Sequence, residues 1–215
     1  MRTSSAILLA CWSIAVSAHA QAFKFSNPPA ADTAQERRDA VTWAQLNTPC
    51  RDRIKNRKIM VIIAEERNGV LAAGQGPYSR HVEAVNSRLK ELGLRTFTAE
   101  QIRKQVAQEE INAYFKNDPD RALGASRRMA AQYVLRGVIA STATRNAIVN
   151  VNQVNVSLDF TLTDASGRPV STASASNASY AGSDTSGMAL TLIEERADEV
   201  VARLYSDYCR NASGR

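Results

Sequence analysis

The chain has 215 residues, with 44% hydrophobic and 22% charged residues, and a formal net charge of +6. That length suits one ordinary domain with a short extension, and the composition excludes collagen-like, low-complexity and wholly disordered classes. The charge is mild and scattered, and with no aromatic-plus-basic motif it argues against nucleic acid as a partner.

Residues 1–20 read as a secretory leader. Met1-Arg2-Thr3-Ser4-Ser5 is a short basic start, Ala6 to Val16 is apolar, and Ala18-His19-Ala20 is a small-residue cleavage site. Cleavage near Ala20 implies a periplasmic or secreted protein. Leu8-Leu9-Ala10-Cys11 offers a rival, lipidation at Cys11 and outer-membrane anchoring, but the apolar run before Cys11 is short and continues past it. The leader is shorter than the roughly 20 apolar residues of a bilayer span, and no later segment reaches that length, so no transmembrane span is expected in the mature chain.

Two cysteines follow the leader, Cys50 and Cys209. An even pair in an exported chain suggests one disulfide, here clamping the two ends of the domain. Residues 21–49 read as a linker, Asn27-Pro28-Pro29-Ala30-Ala31, and a short helix over 32–46. Asp32 would be its cap, and Val41 and Trp43 would dock on the body. Arg51, Arg53, Lys55, Arg57 and Lys58 form the densest basic run, a solvated lead-in or a contact for an anionic surface.

A single domain is expected over 50–209, with a frayed tail at 210–215. Ile59 to Ala64 is a continuous apolar run, a strand buried on both faces. A glycine-bearing loop follows over 65–77. Val82, Val85, Leu89 and Leu92 share one face of a helix over 79–92 that Gly93 stops. Residues 94–97 form a short strand. Thr98 and Gln101 have capping-box form before a helix reaching about Phe115. Asp118-Pro119 opens another helix, to about Ala131.

Residues 133–141 are the third strand. The fourth is the clearest: Val154, Val156, Leu158, Phe160 and Leu162 alternate with Asn155, Ser157, Asp159, Thr161 and Thr163. Val149 and Val151 fall on the opposite parity, which predicts a β-bulge at Asn152-Gln153. A turn at 164–167 leads to a small-residue strand over 169–181. The last helix, over 185–208, has Ala189, Leu192, Ile193, Ala197, Val200, Val201 and Leu204 on one face. The resulting fold class is α/β (α+β), a mixed five-stranded sheet in the order β-α-β-α-α-β-β-β-α, with helices packed on it.

Few residues offer chemistry. His19 leaves with the leader, so His81 is the one histidine of the mature chain, and no zinc constellation follows. Gly74-Gln75-Gly76-Pro77 sits between a strand and a helix, yet completes no phosphate-binding motif; Gly74 and Gly76 are read as a loop presented to a partner. Glu65 and Glu66 end the first strand, where α/β sheets often hold ligands. Asn155 and Asp159 lie on the polar face of the fourth strand. Asn155, Asn177 and Asn211 begin Asn-x-Ser triplets at about the frequency composition predicts. No cofactor and no catalytic residue is expected.

From Lys58 onward the layout resembles a group of bacterial envelope proteins: the curli-secretion lipoprotein, the lipoprotein activators of penicillin-binding proteins, and the amino-terminal domain of the Tol-system propeller protein. The strings carrying it are Lys58-Ile-Met-Val-Ile-Ile-Ala, Leu89-Lys-Glu-Leu-Gly93, Ala131-Gln-Tyr-Val-Leu-Arg-Gly137 and Leu162-Thr-Asp-Ala-Ser-Gly167, with the long closing helix. The resemblance implies a non-catalytic binding or assembly module acting through contacts with an envelope protein, with homo-oligomers left open. Glu65, Glu66, Gly74, Gly76, Asn155 and Asp159 are the candidate contact residues. The alternative is a carboxylate-based envelope hydrolase, which requires Glu65, Glu66 and Asp159 to converge.

Overall fold

The structure, a computed structural model, describes residues 30–67, 69–73, 79–116, 118–148 and 150–213. The leader, Cys11, residues 27–29 of the linker, Gly74 and Gly76 lie outside the described residues.

The apolar run after Lys58 becomes β1 (Lys58–Arg67), whose Ile59, Met60, Val61 and Ile62 are all buried. It is long because its end folds back: β2 (Val70–Ala72) pairs antiparallel with it, Glu65 opposite Ala72 and Arg67 opposite Val70. The expected 65–77 loop is therefore partly a hairpin. Gly69, at φ +81°, sits in its turn, where a residue without Cβ adopts the left-handed region freely.

The sheet runs β2, β1, β4 (Tyr133–Asn146), β5 (Val151–Asp164), β6 (Pro169–Ala181), and β3 (Arg95–Thr96) lies parallel to the start of β1. On its other side β1 runs parallel to β4, Ile59 opposite Tyr133. β5 and β6 complete an antiparallel meander. The fold is thus a mixed α+β sheet, with six strands among the described residues rather than five.

The expected bulge is displaced. β4 and β5 keep unbroken register from Tyr133 opposite Asp164 to Asn146 opposite Val151, so nothing slips at Asn152-Gln153. Val151 simply faces the other side of the sheet and stays exposed. The irregularity falls between Leu162 and Thr163, where β6 leaves Pro169, its first residue. Gly137 faces Phe160 across β4 and β5, and a Cβ there would come within 1.8 Å of the ring. Only glycine lets the buried ring lie flat over the strand.

One sheet face carries α3 (Arg80–Glu91) and α7 (Thr185–Ser213). Val85, Leu89, Leu192, Ile193, Val200 and Leu204 pack on Ile59, Val61, Leu135, Leu158 and Phe160. The small side chains of β6 admit α7 closely: Ala173 is buried, and Ser171 Oγ donates to Asp207 Oδ2 at 2.6 Å. α7 continues through Ser213, so residues 211–213 extend the helix where a frayed tail was expected.

The opposite face carries α4 (Ala99–Gln105), α5 (Gln108–Ala113) and α6 (Pro119–Arg128) over Met60, Ile62 and Val134. The helix expected from Thr98 to Phe115 is thus two. Thr98 and Gln101 form the capping box, but Val106 is extended and buried, and the Glu110 side chain accepts from Ala107 N to restart the helix. α6 ends at Arg128, short of the expected Ala131, because Ala130 turns to φ +48°.

α1 (Ala30–Leu46) packs against α7 through Leu46. Ala30 and Ala31, expected in the linker, begin this helix, and Asp32 lies within it rather than capping it. Trp43 is 70% exposed and Val41 56%, so neither docks on the body as expected. The helix has apolar residues on no single side, and the turn containing Leu46 is what meets the core.

Candidate functional site

Cys50 precedes the short α2 (Arg51–Ile54) and is disulfide-bonded to Cys209 in the last turns of α7, with Cα atoms 5.6 Å apart. Around the bond, Tyr205 donates to Thr48 O at 2.6 Å and the Tyr133 and Tyr208 rings meet edge to face at 5.3 Å. This end of the molecule is fixed by packing. The basic residues Arg51, Arg53, Lys55, Arg57 and Lys58 stay on its surface, mostly as side chains of α2 and the turn after it.

The other end gathers one group of the candidate residues. Where β1 ends and α3 begins, a cavity of about 420 Å³ is lined by Arg67, Ser79, His81, Thr142, Thr185 and Ser186. Ser79 caps α3, its Oγ accepting from Val82 N at 3.2 Å, and it donates to Glu65. His81 Nδ1 lies 3.5 Å from Glu65, and Arg67 Nη2 lies 2.8 Å from it. Asp184 caps the start of α7 through Gly187 N at 2.7 Å.

This geometry determines what Glu65 can do. The hydrogen bond from His81, then those from Ser79 and Arg67, outweigh partial burial and lower its carboxyl to about 2. It is an ionised acceptor, the wrong state for a general acid at neutral pH. The Ser79 hydroxyl is directed to the carboxylate rather than to the imidazole, so no base is poised to activate it.

Glu66, as the next residue on β1, faces the other side of the sheet from Glu65. Asp159 is exposed on that same side, but two strands away: Glu66 pairs with Ala140, Ala140 with Ser157, and Asp159 is two residues further on. Strand spacing and rise place the two backbones about 12 Å apart. The three carboxylates therefore do not converge, and the paired-carboxylate arrangement of a glycan hydrolase is not formed.

Asn155 and Asp159 do share a surface. Beyond the reach of α4, α5 and α6, the sheet face of β5 and β6 is open. Asn155, Ser157, Ser176 and Ala178 line a shallow depression of about 510 Å³ on it. β6 is an edge, pairing only with β5 among the described residues. Toward the β4–β5 hairpin the open face becomes apolar: Val151 is exposed, Tyr180 is 57% exposed, and Ile148 projects from the turn. The sequence reading passes over Ile148 and Tyr180 and takes Val151 as the mark of a bulge. A tyrosine on the polar parity of β6, and a valine on the polar parity of β5, were the available signals.

No protein-family model matches the chain, and no curated protein matches it. Solved structures do. A lipoprotein of Neisseria meningitidis is 16% identical with a TM-score of 0.39, covering 64% of this chain and 92% of its own. The PelC dodecamer of Paraburkholderia phytofirmans is 19% identical, TM-score 0.39, covering 69% and 90%. The LpoB carboxy-terminal domain of Salmonella enterica is 14% identical, TM-score 0.34, covering 65% and 93%. All three are bacterial proteins, and similarity at this level assigns no function.

Proposed function

We propose that this chain is an exported, non-catalytic module of the bacterial cell envelope that holds another polypeptide along β6 and the open face beside it. The single observation that carries this reading is the geometry of β6. It is 13 residues long, pairs on one side only among the described residues, and carries the exposed Tyr180 one residue before its end, near Val151. An unpaired strand supplies a row of backbone donors and acceptors, and a neighbouring aromatic supplies an anchor, which is what strand addition by a partner uses. Residues 50–209 act as one domain in this account, and Asn155 and Asp159 border the contact. Glu65 organises the join between β1 and α3.

Export is supported by the leader-like residues 1–20 and by the Cys50–Cys209 bond, which persists in oxidising compartments. The bacterial envelope follows from the resemblance of the strings between Lys58 and Gly167.

Photo-crosslinking amino acids placed at Ser176, Tyr180 and Lys90 in the native cell test the proposal. Adducts of one defined mass from Ser176 and Tyr180, with none from Lys90 on the outward side of α3, are expected. Adducts from Lys90 alone, or a purified protein that turns over a substrate and stops on Glu65→Gln, would overturn it.

A further inference from the structure

A second cleft lies apart from the β6 edge, on the same side of the sheet, where α5 and α6 end above β4 and β5. Its volume is about 410 Å³. Its walls are mostly apolar, with Ala113, Ala122 and Leu123 on the helix side, Val134 on β4 and Pro169 at the start of β6. Leu123 closes one end by resting on the β5–β6 turn, where a Cβ on Gly167 would meet its Cδ2 at 2.9 Å. Thr161 and Thr163 form the floor along β5.

Arg136 stands among these groups. It is half-buried in the middle of a strand, flanked in register by Ile62 on β1 and Thr161 on β5. Its Nη1 donates to Tyr114 O at 2.8 Å. Among the described residues no carboxylate forms an ion pair with it. Asp118 lines the cleft but already has a partner, and Asp159, two residues from Thr161, is exposed and makes no bond to it. A guanidinium has five N–H donors in a planar fork, and one is accounted for.

Arg136 is half-buried and none of its nitrogens is a buried atom without a partner, so its remaining donors open on the cleft, where a ligand can take the place of water. The fork matches a carboxylate in two parallel hydrogen bonds. The apolar walls match a hydrocarbon group attached to that carboxylate. We infer that the Arg136 cleft binds an apolar group bearing a carboxylate. Two sources share this chemistry, a free fatty acid and the carboxy-terminal residue of a polypeptide.

Calorimetry on the full mature chain, with amide chemical-shift mapping, tests this and separates the sources. The probes are octanoate against octanamide, and N-acetyl-Leu-Ala-Leu with a free carboxylate against its terminal amide. At least one carboxylate should bind at least tenfold tighter than its amide, with shifts at Val134, Arg136 and Thr161. Octanoate alone would identify a fatty acid, and the peptide alone a polypeptide terminus. Arg136→Gln should bring the ratio close to one, and Arg136→Lys, which keeps the charge but loses the fork, should give an intermediate ratio. Thr161→Phe, which leaves the cation in place and fills the cleft from the sheet side, should weaken binding at least tenfold even if Arg136→Gln fails to fold. No binding by either carboxylate, a ratio unchanged by Arg136→Gln, or full affinity in Thr161→Phe would overturn the inference.

Discussion

On the α3/α7 side the sheet is covered along β1, β4, β5 and β6, whereas on the other side α4, α5 and α6 stop over β1 and β4. The same strands therefore meet two different environments. β1 is apolar at successive residues because both its sides are covered. β5 alternates because one side faces α7 and the other faces solvent. Asymmetric cover leaves a long edge strand and a small-residue surface together, and natural proteins rarely leave such an edge without a use or a device that blunts it. Here the blunting is confined to the start of β6, where Pro169 has no N–H and Asn211 Nδ2 donates to Val170 O at 2.7 Å.

Several substitutions can break or sharpen this contrast. The largest effect is expected at the clamp of the covered side. Joining Cys50 to Cys209 closes a loop of 159 residues, for which chain entropy predicts up to about 5 kcal/mol. Denaturant titration of the double serine variant should show a loss of roughly 2–5 kcal/mol, and no change in midpoint would remove the bond from the account.

Next come two adjacent residues on opposite sides of β5. Leu158 is fully buried under α7 and Asp159 is exposed. Leu158→Ala should cost about 2–5 kcal/mol, and Asp159→Ala should stay within about 0.5 kcal/mol. Equal losses would mean that the open face is covered in the isolated protein.

The end of β1 gives a pH signature. Glu65 ordinarily titrates near 4.5 and is lowered to about 2 in the fold. Its contribution is complete above pH 4.5 and is lost as pH falls from there to 2, since the unfolded chain then binds the proton first. Thermal melts of Glu65→Gln should be flatter across that window. Part of the slope should remain, because Asp164 is also lowered to about 2: burial opposes this, and hydrogen bonds from Ser166 and Arg168 prevail.

The smallest effect compares two helix ends. Gly93 after α3 and Ala130 after α6 make the same closing pattern, Leu94 N to Leu89 O and Gly93 N to Lys90 O in one, Ala131 N to Ser126 O and Ala130 N to Arg127 O in the other. Gly93 has φ +93° and Ala130 φ +48°. Alanine is strained there, so Ala130→Gly should raise stability by about 0.5–1 kcal/mol, seen as a small increase in Tm.

What the sequence made legible follows from which signals are local. The capping box of Thr98 and Gln101, Gly93 as a stop, the alternation of β5 and the bounds of β6 need only neighbours a few residues away. The break between α4 and α5 carries no glycine or proline; Val106 leaves the helix to reach Met60 and Ile62, a tertiary demand. β2 has only three residues, all exposed, so it shows no periodicity. Trp43 has the composition of a docking residue, yet its helix turns it outward. Of the site, Glu65 was visible as a strand-end carboxylate but not its convergence with Ser79 and His81, which depends on how α3 meets β1. Arg136 was legible in principle as a charge inside Val134-Leu135-Arg136-Gly137-Val138, though its surroundings come from four other elements, α5, α6, β5 and β6.

Hydrogen exchange measured on the chain alone and on the complex recovered by crosslinking from Tyr180 addresses the central claim most directly. The account predicts new protection along Pro169–Ala181 and at Val151, with α3 and the cavity beside Glu65 unchanged. Protection at the Glu65 cavity, with β6 exchanging as in the free chain, would contradict it.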